Sequence, residues 1–172
     1  MTELSFDAAV LWTGRARRGA GTVATGGLEL EYSAPQSMGG RGIGTSPEEL
    51  LVSAVASCYA ATLFHLLARD DLPAEQVWVR VGGVVSDYPS QARFSRITVH
   101  PTITRGDPVR RQEYEACARL ARQHCFIGKA LQESILYDVG EVVIRPDEAM
   151  WEHNPDDKGG ATAPATATTL RT

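Results

Sequence analysis

The feature that most limits how this chain can fold is residues 50–68, a long segment that is apolar on nearly all sides and rich in alanine. Ser46 and Glu49 match the capping box that begins an α-helix, and Pro47 occupies the first helical position. A helix of this kind must be buried on most of its surface and packed closely by its neighbours. Its polar positions argue against a membrane span. The sequence therefore predicts a buried central helix.

The segments around this helix have the two-residue alternation of β-strands. Residues 28–33 alternate Leu, Leu and Tyr against two Glu, and Gly26 and Gly27 mark the turn that precedes them. We predict strands at 7–15, 20–25, 28–33, 76–87, 93–105 and 136–145, a loop at 35–46, and helices at 108–123 and about 125–134. The predicted order is three strands, the central helix, two strands, two helices and a final strand.

Length and composition fit one domain followed by a tail. The chain has 172 residues, of which 43% are apolar and 22% charged, as in ordinary globular proteins. We assign residues 1–150 to the domain. Residues 151–172 become rich in Gly, Ala, Thr and Pro, and we expect this tail to be disordered because it has too few bulky apolar groups to fold.

Charge and the N-terminal segment limit the partners and the compartment. A formal net charge of -4 and a pI of about 5.6 do not favour binding to nucleic acid or to an anionic membrane. Residues 1–8 carry two acids and no basic residue, so we expect no signal peptide and a cytoplasmic protein. Three cysteines, an odd number, argue against a structural disulfide framework.

Cys58 lies in the middle of the predicted central helix. A cysteine among alanines is most often a small core residue, and burial without a partner would leave it inert. The helix dipole fades within the first turn, so a thiolate there needs a cation from elsewhere in the fold. His65 lies about 10 Å further along the helix axis, too far for a Cys–His pair, and we expect it to be an ordinary packed histidine.

The other two cysteines allow more than one interpretation. Cys117 falls within an amphipathic helical pattern and is expected in the core, whereas Cys125 begins the next helix, where the dipole favours a thiolate. Cys117, His124 and Cys125 could share a metal ion, although they lack a metal-type spacing such as C-x-x-C. Alternatively, one thiol attacks a peroxide and a second condenses with the resulting sulfenic acid to form a disulfide.

Three motifs resemble those of the OsmC/Ohr family of osmotically induced and organic hydroperoxide resistance proteins, and their order along the chain agrees with the family. The first is G-T-S-P-E-E-L-L at 44–51 with Cys58 ten residues after Glu48. The second, at 125–131, is C-F-I-G-K-A-L, which keeps K-A-L but lacks the Pro and Ser that commonly follow the family's cysteine. The third is R-G-A-G-T at 18–22, a basic residue before a G-x-G-T strand.

The resemblance implies a fold and an activity. The fold would be the α+β OsmC-like fold, with antiparallel sheets wrapping two central helices in an intertwined homodimer. The protein would be a thiol-dependent peroxidase that reduces organic hydroperoxides and is reduced again by a dithiol, with no metal, flavin or haem because sulfur carries the electrons. A non-catalytic OsmC-like stress or binding protein with buried, inert cysteines is the alternative.

The resemblance also implies the roles of four residues. Cys58 would attack the peroxide and Cys125 would resolve the sulfenic acid. Arg18 would hold Cys58 as a thiolate and stabilise the charge that develops on the peroxide. Glu48 would orient Arg18 through a bidentate hydrogen bond, and Arg17 is the substitute if Arg18 is a solvated loop residue.

Overall fold

A computed structural model describes residues 2–147 of the chain. The predicted tail at 151–172 lies outside the described residues. The helices and strands, in chain order, are β1 (Ala8–Thr13), β2 (Ala20–Thr25), β3 (Leu28–Tyr32), α1 (Pro47–Arg69), β4 (Val77–Ser86), β5 (Arg93–Thr104), α2 (Arg111–His124), α3 (Phe126–Leu131), β6 (Leu136–Val139) and β7 (Val143–Arg145). These elements match the predicted order except that two short strands stand in place of the final one, and the α+β fold is confirmed.

The first sheet is an antiparallel meander of β1, β2 and β3. Gly26 and Gly27 form its second turn with positive φ angles of 55° and 80°, a conformation that glycine adopts without strain. All six residues of β1 are exposed, and the three strands pack mainly against one another. This sheet therefore carries apolar side chains that nothing else within residues 2–147 covers.

The second sheet is mixed rather than antiparallel throughout. β4 and β5 form a long antiparallel hairpin, but β6 and β7 both run parallel to β5. The single strand predicted at 136–145 is therefore wrong in one respect, because it divides into two short strands around Gly140. The two helices that precede β6 carry the chain across the sheet and reverse its direction, which makes parallel pairing possible.

The beginning of α1 is as predicted from its sequence. The Ser46 side chain accepts a hydrogen bond from the Glu49 amide, and the Glu49 carboxylate accepts one from the Ser46 amide, which completes the capping box. These bonds satisfy amide groups that would otherwise lack partners at a helix start. By length and composition alone α1 is apolar enough to cross a membrane, a criterion that the core helices of soluble proteins also meet.

Within residues 2–147 of a single chain, one side of α1 is buried, which is less than the predicted burial on most faces. That side packs against α2, α3 and the second sheet and consists of Val55, Tyr59, Leu63, Leu66 and Leu67. On the other side Ser57, Ala61 and Phe64 are exposed, Phe64 to 42%. The single chain therefore leaves an apolar helical face in solvent.

Candidate functional site

Cys58 and Cys125 come together although 67 positions separate them in the sequence. Cys58 is half-buried in the middle of α1, and Cys125 is fully buried between the end of α2 and the start of α3. The two thiols lie within interaction range of each other. The packing of α3 on α1 therefore creates a pair of free thiols, one of which reaches the surface.

The Cys125 thiol is held by backbone groups on both sides. Its sulfur accepts a hydrogen bond from the Gly128 amide at 3.4 Å and donates to the carbonyl oxygen of Val55 at 3.9 Å. Burial, and next the neighbouring Cys58 thiol, raise its pKa to about 11. The Gly128 amide at the helix start lowers the pKa as expected, but desolvation outweighs it, so the net shift is upward.

A tyrosine that the sequence analysis missed completes this cluster. Tyr137 on β6 is 2% exposed, and its hydroxyl lies within interaction range of the Cys125 thiol. That hydroxyl forms no hydrogen bond of ordinary geometry with any residue in the described range. The sequence feature that could have pointed to Tyr137 is Gly128, which departs from the Ser of the family motif. A β-carbon at this position would lie 2.2 Å from the Tyr137 ring.

We expect Gly128→Ala to lower the free energy of unfolding by about 2 kcal/mol or more, because overpacking a rigid core displaces neighbouring atoms. The displaced atom would be Cε1 of the buried Tyr137 ring. Urea unfolding followed by circular dichroism measures the change. Gly82→Ala is the matched control, since a β-carbon at Gly82 meets nothing within 4 Å; equal effects of the two substitutions would contradict the packing described.

The two candidate cations lie in different surroundings. Arg17 donates a hydrogen bond to the Tyr88 hydroxyl, and its guanidinium carbon lies 5.2 Å from the centre of the Tyr88 ring. Tyr88 in turn donates to the carbonyl of Met38, so Arg17 ties the first sheet to the β4–β5 hairpin. Arg18 is exposed and makes no side-chain hydrogen bond or ion pair within residues 2–147. Among the described residues neither arginine forms a hydrogen bond with Cys58.

Glu48 lies in the first turn of α1 and contains a second orphaned polar atom. Its Oε2 atom is buried and has no hydrogen-bond partner among the described residues. Ten residues separate Glu48 from Cys58, about 15 Å along the helix axis. Helical side chains lean toward the N-terminus, so the carboxylate points away from Cys58. A single arginine therefore cannot contact both side chains of the same helix.

The residues of the alternative metal site are not arranged as ligands. Cys117 is buried and donates a hydrogen bond to Asp70 at 3.4 Å, and burial raises its pKa to about 11. His124 is exposed. Across residues 2–147 no group of three or more His, Cys, Asp or Glu side chains is placed to hold a metal ion. His65 was also predicted wrongly, since it is exposed rather than packed.

Two neighbouring free thiols, one partly exposed and one buried, define a dithiol site within an α+β domain. The family model described as OsmC-like protein matches residues 39–139, so the chain belongs to the OsmC-like family. The resemblance seen in the sequence is confirmed.

Relatives and solved structures agree with this assignment. The chain is 28% identical over 138 residues to the uncharacterized protein YmaD of Bacillus subtilis, covering 78% of this chain and 91% of that one. An OsmC-like protein of unknown function from Vibrio cholerae superposes with a TM-score of 0.67 at 18% identity, covering 82% of this chain and all of that one. An organic hydroperoxide resistance protein from Legionella pneumophila gives 0.65 at 21% identity, covering 82% and 99%. At these identities the structures show the fold alone.

Proposed function

We propose that this protein is a thiol-dependent peroxidase that reduces organic hydroperoxides, with Cys58 as the peroxidatic and Cys125 as the resolving cysteine. The proximity of the two thiols carries the proposal. The half-buried Cys58 can meet a substrate, and the fully buried Cys125 lies directly behind it. This is the arrangement that a two-cysteine reduction needs, since the second thiol must reach the product formed on the first.

The proposed chemistry proceeds in two steps. The Cys58 thiolate attacks the terminal oxygen of the hydroperoxide, the O–O bond breaks, and the alkoxide takes a proton and leaves as an alcohol. Sulfur is thereby oxidised to a sulfenic acid. The Cys125 sulfur then attacks the sulfenic sulfur, forming a disulfide and releasing water. A dithiol reductant restores both thiols by exchange and becomes a disulfide itself.

Organic hydroperoxides are proposed as the substrate class on two grounds. The Legionella structure with the same fold is described as an organic hydroperoxide resistance protein, and the sequence motifs resemble that group. The apolar residues beside Cys58 on α1 add little support, since Val55, Tyr59 and Leu63 are fully buried in the core.

We also propose that the functional unit is an intertwined homodimer, because the single chain leaves too much apolar surface exposed. Val10 and Leu11 of β1 are 61% and 62% exposed, and Phe6 is 86% exposed. Three strands need a covered hydrophobic face to be stable, and contiguous exposed apolar surface marks an interaction site. A second copy, presenting its own exposed α1 face and first sheet, is the partner that the family resemblance implies.

The orphaned Glu48 carboxylate supports sharing of the site between two copies. Glu48 and Cys58 of one helix point too far apart for a single arginine to contact both. If two α1 helices pack antiparallel, Glu48 of one copy approaches Cys58 of the other. Arg18, exposed and unpaired within the described residues, would then bond the buried Oε2 atom and the thiolate together.

Light scattering coupled to size exclusion tests the dimer. We expect a mass of about twice the 18.6 kDa of the chain at micromolar concentration. Leu11→Asp, which places a charge on the exposed apolar surface of β1, should yield monomer because a charge at an interface centre is desolvated without a partner. Leu4→Asp, at an exposed position outside the strands, is the control. A wild-type protein that stays monomeric even at about 100 µM would contradict the proposal.

Consumption of cumene hydroperoxide with a dithiol present tests the activity. The proposed enzyme turns over many times per subunit, whereas the alternative, an OsmC-like binding protein with inert cysteines, consumes nothing above background. The raised pKa of the buried Cys125 is the observation that favours the alternative. Turnover therefore requires a neighbouring group that favours the thiolate of Cys125 in the second step.

A further inference from the structure

We propose that Tyr137 is a positioning residue that donates a hydrogen bond from its hydroxyl to the Cys125 sulfur as that sulfur attacks Cys58. This inference rests on the proposed dithiol chemistry and assigns a role that the sequence motifs do not contain. The starting observation is a buried hydroxyl with no ordinary partner in residues 2–147. Buried tyrosine hydroxyls almost always have one, so an unsatisfied hydroxyl beside a reactive sulfur requires an explanation.

Three contacts fix the Tyr137 ring. Gly128 lies against one edge so closely that a β-carbon would strike the ring at 2.2 Å. The guanidinium carbon of Arg122 lies 5.6 Å from the ring centre, and the Arg122 Nε–H also donates to the Tyr137 carbonyl. The hydroxyl is therefore held at the sulfur by packing rather than by a hydrogen bond of its own, which is how a donor is preorganised for charge that develops later.

The Tyr137 hydroxyl can stabilise the Cys125 thiolate, which the second step requires. The thiolate of Cys125 is the attacking species, yet burial raises the pKa of this thiol to about 11. The ionisable groups facing it are Cys58 and Tyr59 from α1 and Tyr137 from β6. Among these the Tyr137 hydroxyl is the group whose interaction with the sulfur lowers the pKa of Cys125, while Tyr59 already donates to the carbonyl of Ala118.

Gly128 and Tyr137 together shape the surroundings of the Cys125 sulfur. Gly128 has no side chain, and the Tyr137 ring occupies the space that a β-carbon there would enter. The Gly128 amide also donates to the Cys125 sulfur, so the absence of a side chain at this position keeps the ring next to the resolving thiol.

The test separates the two sulfur steps with an aromatic disulfide, dithiobis-nitrobenzoate, in a Cys117→Ala background. Attack by Cys58 releases one coloured thiolate and leaves a mixed disulfide on Cys58. Attack by Cys125 on that mixed disulfide releases the second thiolate and forms the Cys58–Cys125 bond. We expect Tyr137→Phe to leave the first phase unchanged and to slow the second about tenfold, the loss of one charge-assisted hydrogen bond.

Tyr114→Phe is the matched control, since it also removes a buried hydroxyl, one bound to Pro73 and Asp107 about 16 Å along α2 from Cys125. It should change neither phase. A second phase in Tyr137→Phe within twofold of the parent rate overturns the inference. Because no peroxide is used, a protein that fails to reduce hydroperoxides but shows the slowed second phase would refute the proposed function and retain the role of Tyr137.

Discussion

Replacing Cys58 by serine is expected to abolish hydroperoxide turnover, lowering kcat by about three orders of magnitude or more, as loss of a covalent nucleophile does in other enzymes. The alcohol of serine is not ionised near neutral pH and cannot accept the peroxide oxygen as sulfur does. Cys125 cannot substitute, because it is fully buried behind Cys58. Cumene hydroperoxide consumption with a dithiol present measures the loss.

Cys125→Ser should behave differently from Cys58→Ser, because it keeps the peroxidatic thiol. We expect one equivalent of peroxide per subunit to be consumed at the wild-type rate, followed by a stall in which Cys58 remains a sulfenic acid that dimedone can trap. Cys117→Ser is the control, since Cys117 bonds Asp70 instead of the other thiols, and should turn over normally. Equal steady-state rates in Cys125→Ser and wild type would remove Cys125 from the mechanism.

The sequence was sufficient for those parts of the fold that local rules determine. The capping box at Ser46 and Glu49 formed as predicted, and the first meander follows its alternating pattern closely. Both depend on neighbours within a few residues. The parallel pairing of β6 and β7 with β5 was missed, since strand direction depends on where α2 and α3 deliver the chain rather than on the strand's own residues.

In the candidate site, too, the sequence predicted the local structure but not the contacts between distant residues. The helix that carries Cys58 could be read from the sequence, as could the start of the helix after Cys125. That the two thiols become neighbours depends on the packing of α3 against α1, which no periodicity encodes. The surroundings of Tyr137 depend on one missing side chain at Gly128. A departure from a family motif was therefore as informative as the matches.

Arg18→Ala is expected to lower kcat/KM for organic hydroperoxides by about 100-fold or more, the effect of removing one preorganised charge donor from a developing anion. The structure supplies a matched control at the adjacent position. Arg17→Ala should leave kcat/KM unchanged, because the Arg17 guanidinium bonds and stacks on Tyr88. Its loss should instead weaken the link between the first sheet and the β4–β5 hairpin, seen as a lower Tm.

Glu48→Gln extends the same test to the orphaned carboxylate. A neutral amide keeps the volume but loses the charge that would orient Arg18, so we expect a decrease in kcat/KM smaller than that of Arg18→Ala. The double variant should be no worse than Arg18→Ala alone, since the carboxylate acts only through the arginine. Additive losses would mean that Glu48 and Arg18 act separately, and a loss confined to Arg17→Ala would transfer the cationic role to Arg17. The buried Oε2 atom would then be satisfied by some group other than Arg18.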